Sequence, residues 1–229
     1  MGHTSGRITE IRLEAGGQME AVVACPIEAI PHAGQYLLAS DLNNPEEVLG
    51  TTLFIAEKSM HGFWAAPPIP NSWRPGTNLD LVGPLGHGFE LPRHIQRLGL
   101  VALGDTVSRL MPLVGQIGHS HGSATLFTDL PLPRIPALLE AYPLVSLVEA
   151  LDWPDFLVVD LPLQRMSGLR DVLGLLDGSG LTCPTQVLVT TPMPCARLAH
   201  CGACAVPARR GWKFACEDGP VFDLNQLKW

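Results

Sequence analysis

The stretch Leu98-Gly99-Leu100-Val101-Ala102-Leu103-Gly104-Asp105-Thr106-Val107-Ser108-Arg109-Leu110-Met111-Pro112-Leu113-Val114-Gly115-Gln116-Ile117 divides the chain into two kinds of sequence. Its first part, Leu100 to Leu103, is a short continuous apolar run of the sort that suits a strand buried on both faces. From Thr106 to Ile117, the residues Val107, Leu110, Met111, Val114 and Ile117 recur at helical spacing. A buried strand that turns directly into an amphipathic helix opens an α/β layer. Asp105 or Thr106 stands where such a helix takes its N-cap.

Downstream the alternation continues. Ala124–Phe127 and Phe156–Val159 are short apolar runs for a buried parallel sheet, Leu169–Leu176 reads as a helix, and Gln186–Val189 as a last strand. Upstream the period is different. Arg7–Leu13 largely alternates apolar and polar residues, Met19–Ala24 follows the Gly16-Gly17 turn, and Gly34–Ala39, Thr51–Ala56 and Asn78–Val82 are further strands. The stretch Ala65–Gly76 carries four prolines and reads as a loop. Short strands at turn-separated intervals favour a small barrel.

The 229 residues suffice for one or two small domains with a proper core. A hydrophobic content of 46% with only 16% charged residues excludes a disordered chain. The net charge of −7, from 15 Lys+Arg against 22 Asp+Glu, argues against nucleic-acid binding, which needs a basic face. No apolar run reaches the roughly 18 residues of a membrane span, and the N-terminus lacks the apolar core of a secretory signal. The expectation is a soluble, cytoplasmic protein.

Of six cysteines, four are clustered as Cys195-x5-Cys201-x2-Cys204-x11-Cys216, whereas Cys25 and Cys183 stand alone and read as small buried apolar groups. Clustered cysteines in a cytosolic chain point to metal rather than disulfides. Three close ligands and a distant fourth is the layout of a plant-type [2Fe–2S] site, with a first gap of five residues instead of four. Ala196, Gly202, Ala203 and Ala205 flank the thiols with small side chains, which lets backbone N–H groups approach cluster sulfurs. Arg197, His200, Arg209, Arg210 and Lys213 supply positive charge nearby, or form a solvated basic face. Structural zinc is the alternative, although zinc sites usually present two Cys-x2–4-Cys knuckles and only one exists here.

Pro194-Cys195 through Cys201-Gly202-Ala203-Cys204-Ala205-Val206, followed by Cys216-Glu217-Asp218-Gly219-Pro220-Val221-Phe222, resembles the cluster-binding tail of dihydroorotate dehydrogenase electron-transfer subunits. Gly83-Pro84-Leu85-Gly86-His87-Gly88-Phe89 resembles the family's Gly-Pro-Leu-Gly-x-Gly-Phe element, and Ala33-Gly34-Gln35-Tyr36 its Pro-Gly-Gln-Phe strand. The resemblance implies a ferredoxin-reductase architecture: an FAD-binding barrel, a nucleotide-binding α/β domain and a [2Fe–2S] segment. It also implies a subunit that pairs with a flavin-bearing dehydrogenase and relays electrons through the cluster to its own FAD and on to NAD.

Three family motifs are changed. Where the family holds FAD with Arg-Pro-x-Ser, this chain reads Thr51-Thr52-Leu53-Phe54, so the phosphate-pairing guanidinium and the hydroxyl are both gone. A later Gly-x-Gly-Thr flavin turn is replaced by Pro67-Pro68-Ile69-Pro70-Asn71-Ser72, and proline has no N–H to offer. The nucleotide loop Gly-Gly-x-Gly-x-x-Pro is reduced to one glycine, Gly104, and Asp105 places negative charge where phosphate would sit. These changes leave FAD doubtful and argue against NAD. Trp64, Trp73 and Trp212 are potential flavin-stacking residues, with ordinary packing as the simpler role.

Other constellations are weaker. His119 and His121 flank Ser120 in a loop without a carboxylate partner, and read as a solvated turn. Asp152, Asp155 and Asp160 around Phe156–Val159 read as strand-end caps rather than an acid/base pair. No P-loop is present, and no catalytic residue is assigned. The expected architecture is a β-barrel plus α/β: a flavin-reductase-like barrel over 1–92, a degenerate nucleotide-binding-like α/β domain over 93–190 and a cluster-binding segment over 191–229.

The expected function is an electron-transfer subunit, not catalytic alone. It relays single electrons through a [2Fe–2S] cluster on Cys195, Cys201, Cys204 and Cys216. The partner expected in a hetero-oligomer is a flavoprotein dehydrogenase catalytic subunit, by resemblance dihydroorotate dehydrogenase, with ferredoxin as a possible acceptor. The alternatives are a docking subunit with structural zinc in the four-cysteine site, and a flavin reductase whose FAD is held by other contacts.

Overall fold

The computed structural model describes residues 2–14, 16–44, 49–119, 121–132, 135–176, 180–195 and 201–229. Strands β1 (His3–Leu13), β2 (Met19–Ala24), β3 (Tyr36–Asp41), β4 (Thr51–Ser59), β5 (Gly62–Ala65) and β6 (Asn78–Leu85) close a barrel in the order β1-β2-β5-β4-β3-β6. Every barrel pairing is antiparallel. Side chains alternate across each strand. Leu37, Ala39, Leu53 and Ile55 point inward with Ile8, Val23, Phe63, Leu79 and Leu81. Tyr36, Leu38, Phe54 and Ala56, one residue out of step, pack against the rest of the molecule. Both faces of β3 and β4 are therefore apolar, which is why they read as unbroken hydrophobic runs. The proline-rich loop delivers Trp73 into the barrel interior, where it is fully buried.

The second layer is a sheet of β7 (Arg97–Ala102), β8 (Ser123–Phe127), β9 (Leu139–Tyr142), β10 (Phe156–Pro162), β11 (Thr185–Thr190) and β14 (Val221–Asp223). Its order is β14-β11-β10-β7-β8-β9, parallel throughout except for β14, which runs antiparallel to β11. Between β11 and β14 lies a hairpin of β12 (Ala205–Pro207) and β13 (Trp212–Phe214). Helix α1 (Met111–His119) covers one face of the sheet, with Leu113, Val114 and Ile117 buried against Leu98, Leu100 and Ala102. Each such buried side chain contributes about 1.5–3 kcal/mol of transfer free energy. The helix expected from Thr106 begins as a 3-10 turn at Ser108–Leu110 and becomes α-helical only at Met111. Helix α2 (Leu147–Ala150) is short, and α3 (Leu169–Val172) ends well before Leu176 because Gly174 turns the chain at φ 61°.

The opposite face of the sheet shares one core with the barrel and the C-terminal segment. Tyr36, Phe54 and Leu85 from the barrel meet Val101, Val159, Leu161 and Val187 from the sheet, and Cys204, Val206, Cys216 and Val221 from the segment. Among the described residues, no helix is long and apolar enough to cross a membrane.

Candidate metal centre

The cysteines are positioned by the β12–β13 hairpin and the loop that enters it. Ala205 pairs with Phe214, and the Ala215 N–H donates to the Cys204 carbonyl at 2.9 Å, so Cys204 and Cys216 face each other across the base of the hairpin. Their sulfurs are 3.2 Å apart, and both residues are buried. Beyond Cys216 the chain turns tightly. The Asp218 carboxylate accepts from the Phe214 N–H at 2.7 Å, and the Glu217 and Asp218 N–H groups both donate to the Phe214 carbonyl. On the entering side, Cys201 is exposed and its sulfur lies 3.9 Å from that of half-buried Cys195. Gly202, at φ 74°, makes the turn between Cys201 and Cys204. Ala196, Arg197 and His200 lie outside the described residues.

The four thiols thus fall into two pairs, linked to each other through the field of Cys195 at Cys216. Burial, followed by the hydrogen bond and charge of Cys204 and then the charge of Cys195, pushes the Cys216 thiol up to about 12. A bound metal is what converts such a thiol to a thiolate. Two sulfurs on one tetrahedral metal with bonds of about 2.3 Å stand about 3.8 Å apart, and the two observed separations bracket that edge. Among the described residues, no three His, Cys, Asp or Glu side chains converge as a single-ion site. Two pairs suit two bridged metals better than one zinc, so the donor set fits an iron–sulfur cluster.

Three sequence elements meet beside this hairpin. The His87 N–H donates to the Gly219 carbonyl at 2.6 Å, and the Phe89 N–H donates to Ala33 at 2.9 Å. A Cβ at Gly86 would lie 2.6 Å from Pro220, and one at Gly34 would lie 2.5 Å from Val221. Ala33–Tyr36, Gly83–Phe89 and Cys216–Phe222 are therefore one packed unit. Arg209 and Arg210 are exposed at the hairpin turn beside Lys213, and Trp212 is 65% exposed.

The other tryptophans pack in the ordinary way. Trp73 fills the barrel, and Trp64 lies under the Arg12 guanidinium, 3.9 Å from its ring centroid. The expected histidine turn is also a turn: His119 bonds the Gly115 carbonyl of its own helix, Ser120 lies outside the described residues, and His121 adopts φ 58°. Cys25 and Cys183 are half-buried rather than fully buried, with thiols raised by desolvation, Cys25 to about 11.

Asp155 is the expected strand-end cap. It accepts from the Gln96 and Arg97 N–H groups and pairs with the Arg97 side chain at 2.7 Å, which holds its carboxyl below the usual range. Asp152 accepts from the Thr182 hydroxyl at 3.4 Å. Asp160 departs from expectation. It sits within β10, fully buried, and its Oδ2 accepts from Arg109 Nε at 2.9 Å.

Arg109, 3% exposed, also donates to the Pro67 carbonyl at 3.1 Å and to Asp105 at 2.5 Å, and its guanidinium stands 6.0 Å over the Phe54 ring. Burial disfavours the cation. The carboxylates of Asp160 and Asp105 outweigh that effect and hold it above its ordinary value. The N-cap of the turn is Val107 rather than Asp105 or Thr106; the Thr106 hydroxyl, one residue earlier, accepts from the Ser108 N–H at 3.0 Å, and Asp105 goes to Arg109. The sequence reading missed Arg109. The available signals were a cation inside an apolar helical pattern, its i,i+4 spacing from Asp105, and an acid inside the Phe156–Leu161 strand.

Next to this ion pair, a cavity of about 1000 Å³ opens between barrel and α1, lined by Glu14, Glu20, Glu57, Lys58, Ser108 and Met111 among others. Arg12 is bound to Glu20 at 2.6 Å. The Ser108 hydroxyl contacts both Glu14 and Glu20, the latter at 2.8 Å. Burial, with the Glu20 charge adding to it, lifts the Glu14 carboxyl above its ordinary range against the pull of Ser108.

Residues 193–228 match the iron–sulfur cluster binding domain of dihydroorotate dehydrogenase B. A search of curated proteins finds no match to the sequence. Among solved structures, the chain is similar to the NADH-dependent reduced ferredoxin–NADP oxidoreductase studied for flavin-based electron bifurcation. That match has 19% identity and a TM-score of 0.76, over 98% of this chain and 90% of the other. It is also similar to phthalate dioxygenase reductase, a modular structure for electron transfer from pyridine nucleotides to [2Fe–2S], at 12% identity and a TM-score of 0.52, over 98% and 78%. A ferredoxin–NADP+ reductase from Plasmodium falciparum aligns at 10% identity and a TM-score of 0.54, over 77% and 91%. The chain has the ferredoxin-reductase fold, and its C-terminal segment is similar to the iron–sulfur cluster binding domain of dihydroorotate dehydrogenase B.

Proposed function

We propose that this ferredoxin-reductase-fold chain is an electron-transfer subunit whose ligands for a [2Fe–2S] cluster are Cys195, Cys201, Cys204 and Cys216. Residues 1–92 and 93–190 serve as its scaffold and 191–229 as its cluster segment. The observation that carries the reading is the pairing of the thiols, Cys195 with Cys201 and Cys204 with Cys216. When bound, the cluster supplies one-electron transfer. The protein's part is to hold the buried Cys204–Cys216 pair rigid at the hairpin base and to leave the Cys201 side open to a partner. Gly202 and Ala203, both exposed, keep bulky groups off that approach.

The partner supported by the C-terminal match is a flavoprotein dehydrogenase, and within that class a dihydroorotate dehydrogenase catalytic subunit. Ferredoxin is a candidate acceptor.

The test is a visible absorption spectrum of anaerobically purified protein with iron, sulfide and zinc assays on the same sample. Two irons and two sulfides per chain with visible bands are expected, and Cys204→Ser is expected to remove them while partner binding persists. A colourless protein holding one zinc per chain would overturn the relay in favour of a docking subunit.

A further inference from the structure

We infer that an internal ion-pair seal occupies the places for flavin and pyridine nucleotide in this chain, so that it handles electrons only one at a time. The electron part of this inference rests on the proposed function. The seal itself does not.

The three changed motifs, far apart in sequence, meet at one side chain. Arg109 belongs to the nucleotide loop. It stands over Phe54, which replaces the family's flavin hydroxyl, and donates to Pro67, the first residue of the segment that replaces the flavin turn. Two further N–H groups go to Asp160 and Asp105. A planar guanidinium satisfied from several directions and 3% exposed leaves no room for a ring system between barrel and sheet. Around it the junction is filled by the continuous core of Tyr36, Phe54, Val101, Leu103 and Val159.

The loop is equally unsuited to phosphate. A Cβ at Gly104 would lie 2.6 Å from Arg109 Nη2 and within 3.6–3.7 Å of both Asp160 carboxylate oxygens, so the space beside the surviving glycine is taken by the chain's own ion pair. Three backbone N–H groups on either side of this loop are already engaged: Leu103 with the Asp160 carbonyl at 2.8 Å, Ser108 with Thr106, and Leu110 with Val107 at 3.0 Å. The neighbouring cavity offers no substitute site. Its Glu14, Glu20 and Glu57 face only Lys58 as a strongly basic group not already ion-paired among the described residues, since Arg12 is held by Glu20. A lining with more carboxyl groups than unpaired cations disfavours a pyrophosphate.

It follows that a hydride pair is not accepted or released on this chain. The conversion between a two-electron reaction and single electrons takes place on the partner, which donates or receives two electrons in two separate one-electron transfers for each substrate molecule.

The experiment measures flavin released by heat from the purified holoprotein, together with its iron content, and titrates the same sample with FAD, FMN and NADH by tryptophan fluorescence. No stoichiometric flavin and no saturation up to about 1 mM are expected. One flavin per chain, or saturation in the micromolar range, would overturn the seal while leaving the relay standing. Absence of both iron and flavin would remove the relay and leave the seal intact.

Arg109→Ala strands Asp160 and is expected to lower the Tm by about 5–15 °C. Arg109→Met combined with Asp160→Leu, an apolar replacement of the pair, is expected to recover most of that loss and remain flavin-free. An unchanged Tm in Arg109→Ala would show that Arg109 seals nothing, whereas flavin gained by the apolar pair would show that the ion pair itself excludes it.

Discussion

The barrel–sheet junction and the cysteine hairpin border the same hydrophobic core, yet their chemistry has diverged. At the junction Arg109 gathers its partners inward: Asp160 Oδ2 and the Pro67 carbonyl both accept from it, and the Phe54 ring faces the guanidinium. At the hairpin the buried thiols Cys204 and Cys216 sit behind exposed Cys201, Gly202 and Ala203. The lesson is that a scaffold loses a cofactor place by filling it with its own side chains, and keeps one by holding small residues around its ligands.

The sharpest way to break this contrast is Cys204→Ser. Complete loss of iron uptake and of electron delivery is expected, with the fold retained by circular dichroism; normal iron content would remove Cys204 from the ligand set. Next in size is Phe54→Ser, which restores the resembled family's hydroxyl at the junction. It is expected to cost about 3–5 kcal/mol in denaturant unfolding, because a large buried side chain is lost, and to gain no flavin while Arg109 remains.

At the open end, Arg209→Gln with Arg210→Gln removes two exposed charges about 10 Å along the hairpin from the thiols. In water-like dielectric this lowers the reduction potential by on the order of 10–20 mV per charge, readable by redox titration and diminishing with salt. A rise in potential would contradict the electrostatic role.

Glu14→Gln gives a smaller effect with a defined sign. The folded protein holds the Glu14 proton more tightly than the unfolded chain, whose ordinary value is 4.5. The stability this gives is present below that value and is lost as pH rises through the raised one. Glu14→Gln is therefore expected to raise the Tm at neutral pH by about 1–2 °C, after discounting for partial exposure, and to flatten its fall between mildly acid and neutral pH. Cys25→Ala and Cys183→Ala should change nothing in the iron assay, since both thiols are raised by burial and lie away from the hairpin.

Much of the architecture was legible because apolar periods are long-lived signals. Met19–Ala24 and Thr51–Ala56 read as strands and are strands, the second continuing through Glu57 and Lys58 to Ser59. Strand β5 was hidden because only Gly62–Ala65 forms it, and its end merges into the proline-rich loop. Strand β9, Leu-Glu-Ala-Tyr, has no clear period, and β12 to β14 span three residues each. The cysteine spacing was legible because a cluster takes its ligands from a short stretch. Their division into pairs was not, because it depends on the register of β12 with β13. The Arg109 seal was illegible for the opposite reason. It draws on residues 54, 67, 105, 109 and 160, and the sequence held no pattern that joined them.

One feature of the sheet extends beyond electron transfer. The antiparallel strand β14, directly after the Cys216 turn, covers the edge of β11 through Val187–Phe222 and Leu188–Val221. An uncovered parallel edge with apolar residues on both faces is a template for strand addition by other chains. Because β14 is tethered to a ligand-bearing turn, loss of the ligands loosens the guard on that edge, and oxidative damage at the hairpin becomes a route to self-association. Light scattering during oxygen exposure should therefore rise in step with the loss of iron.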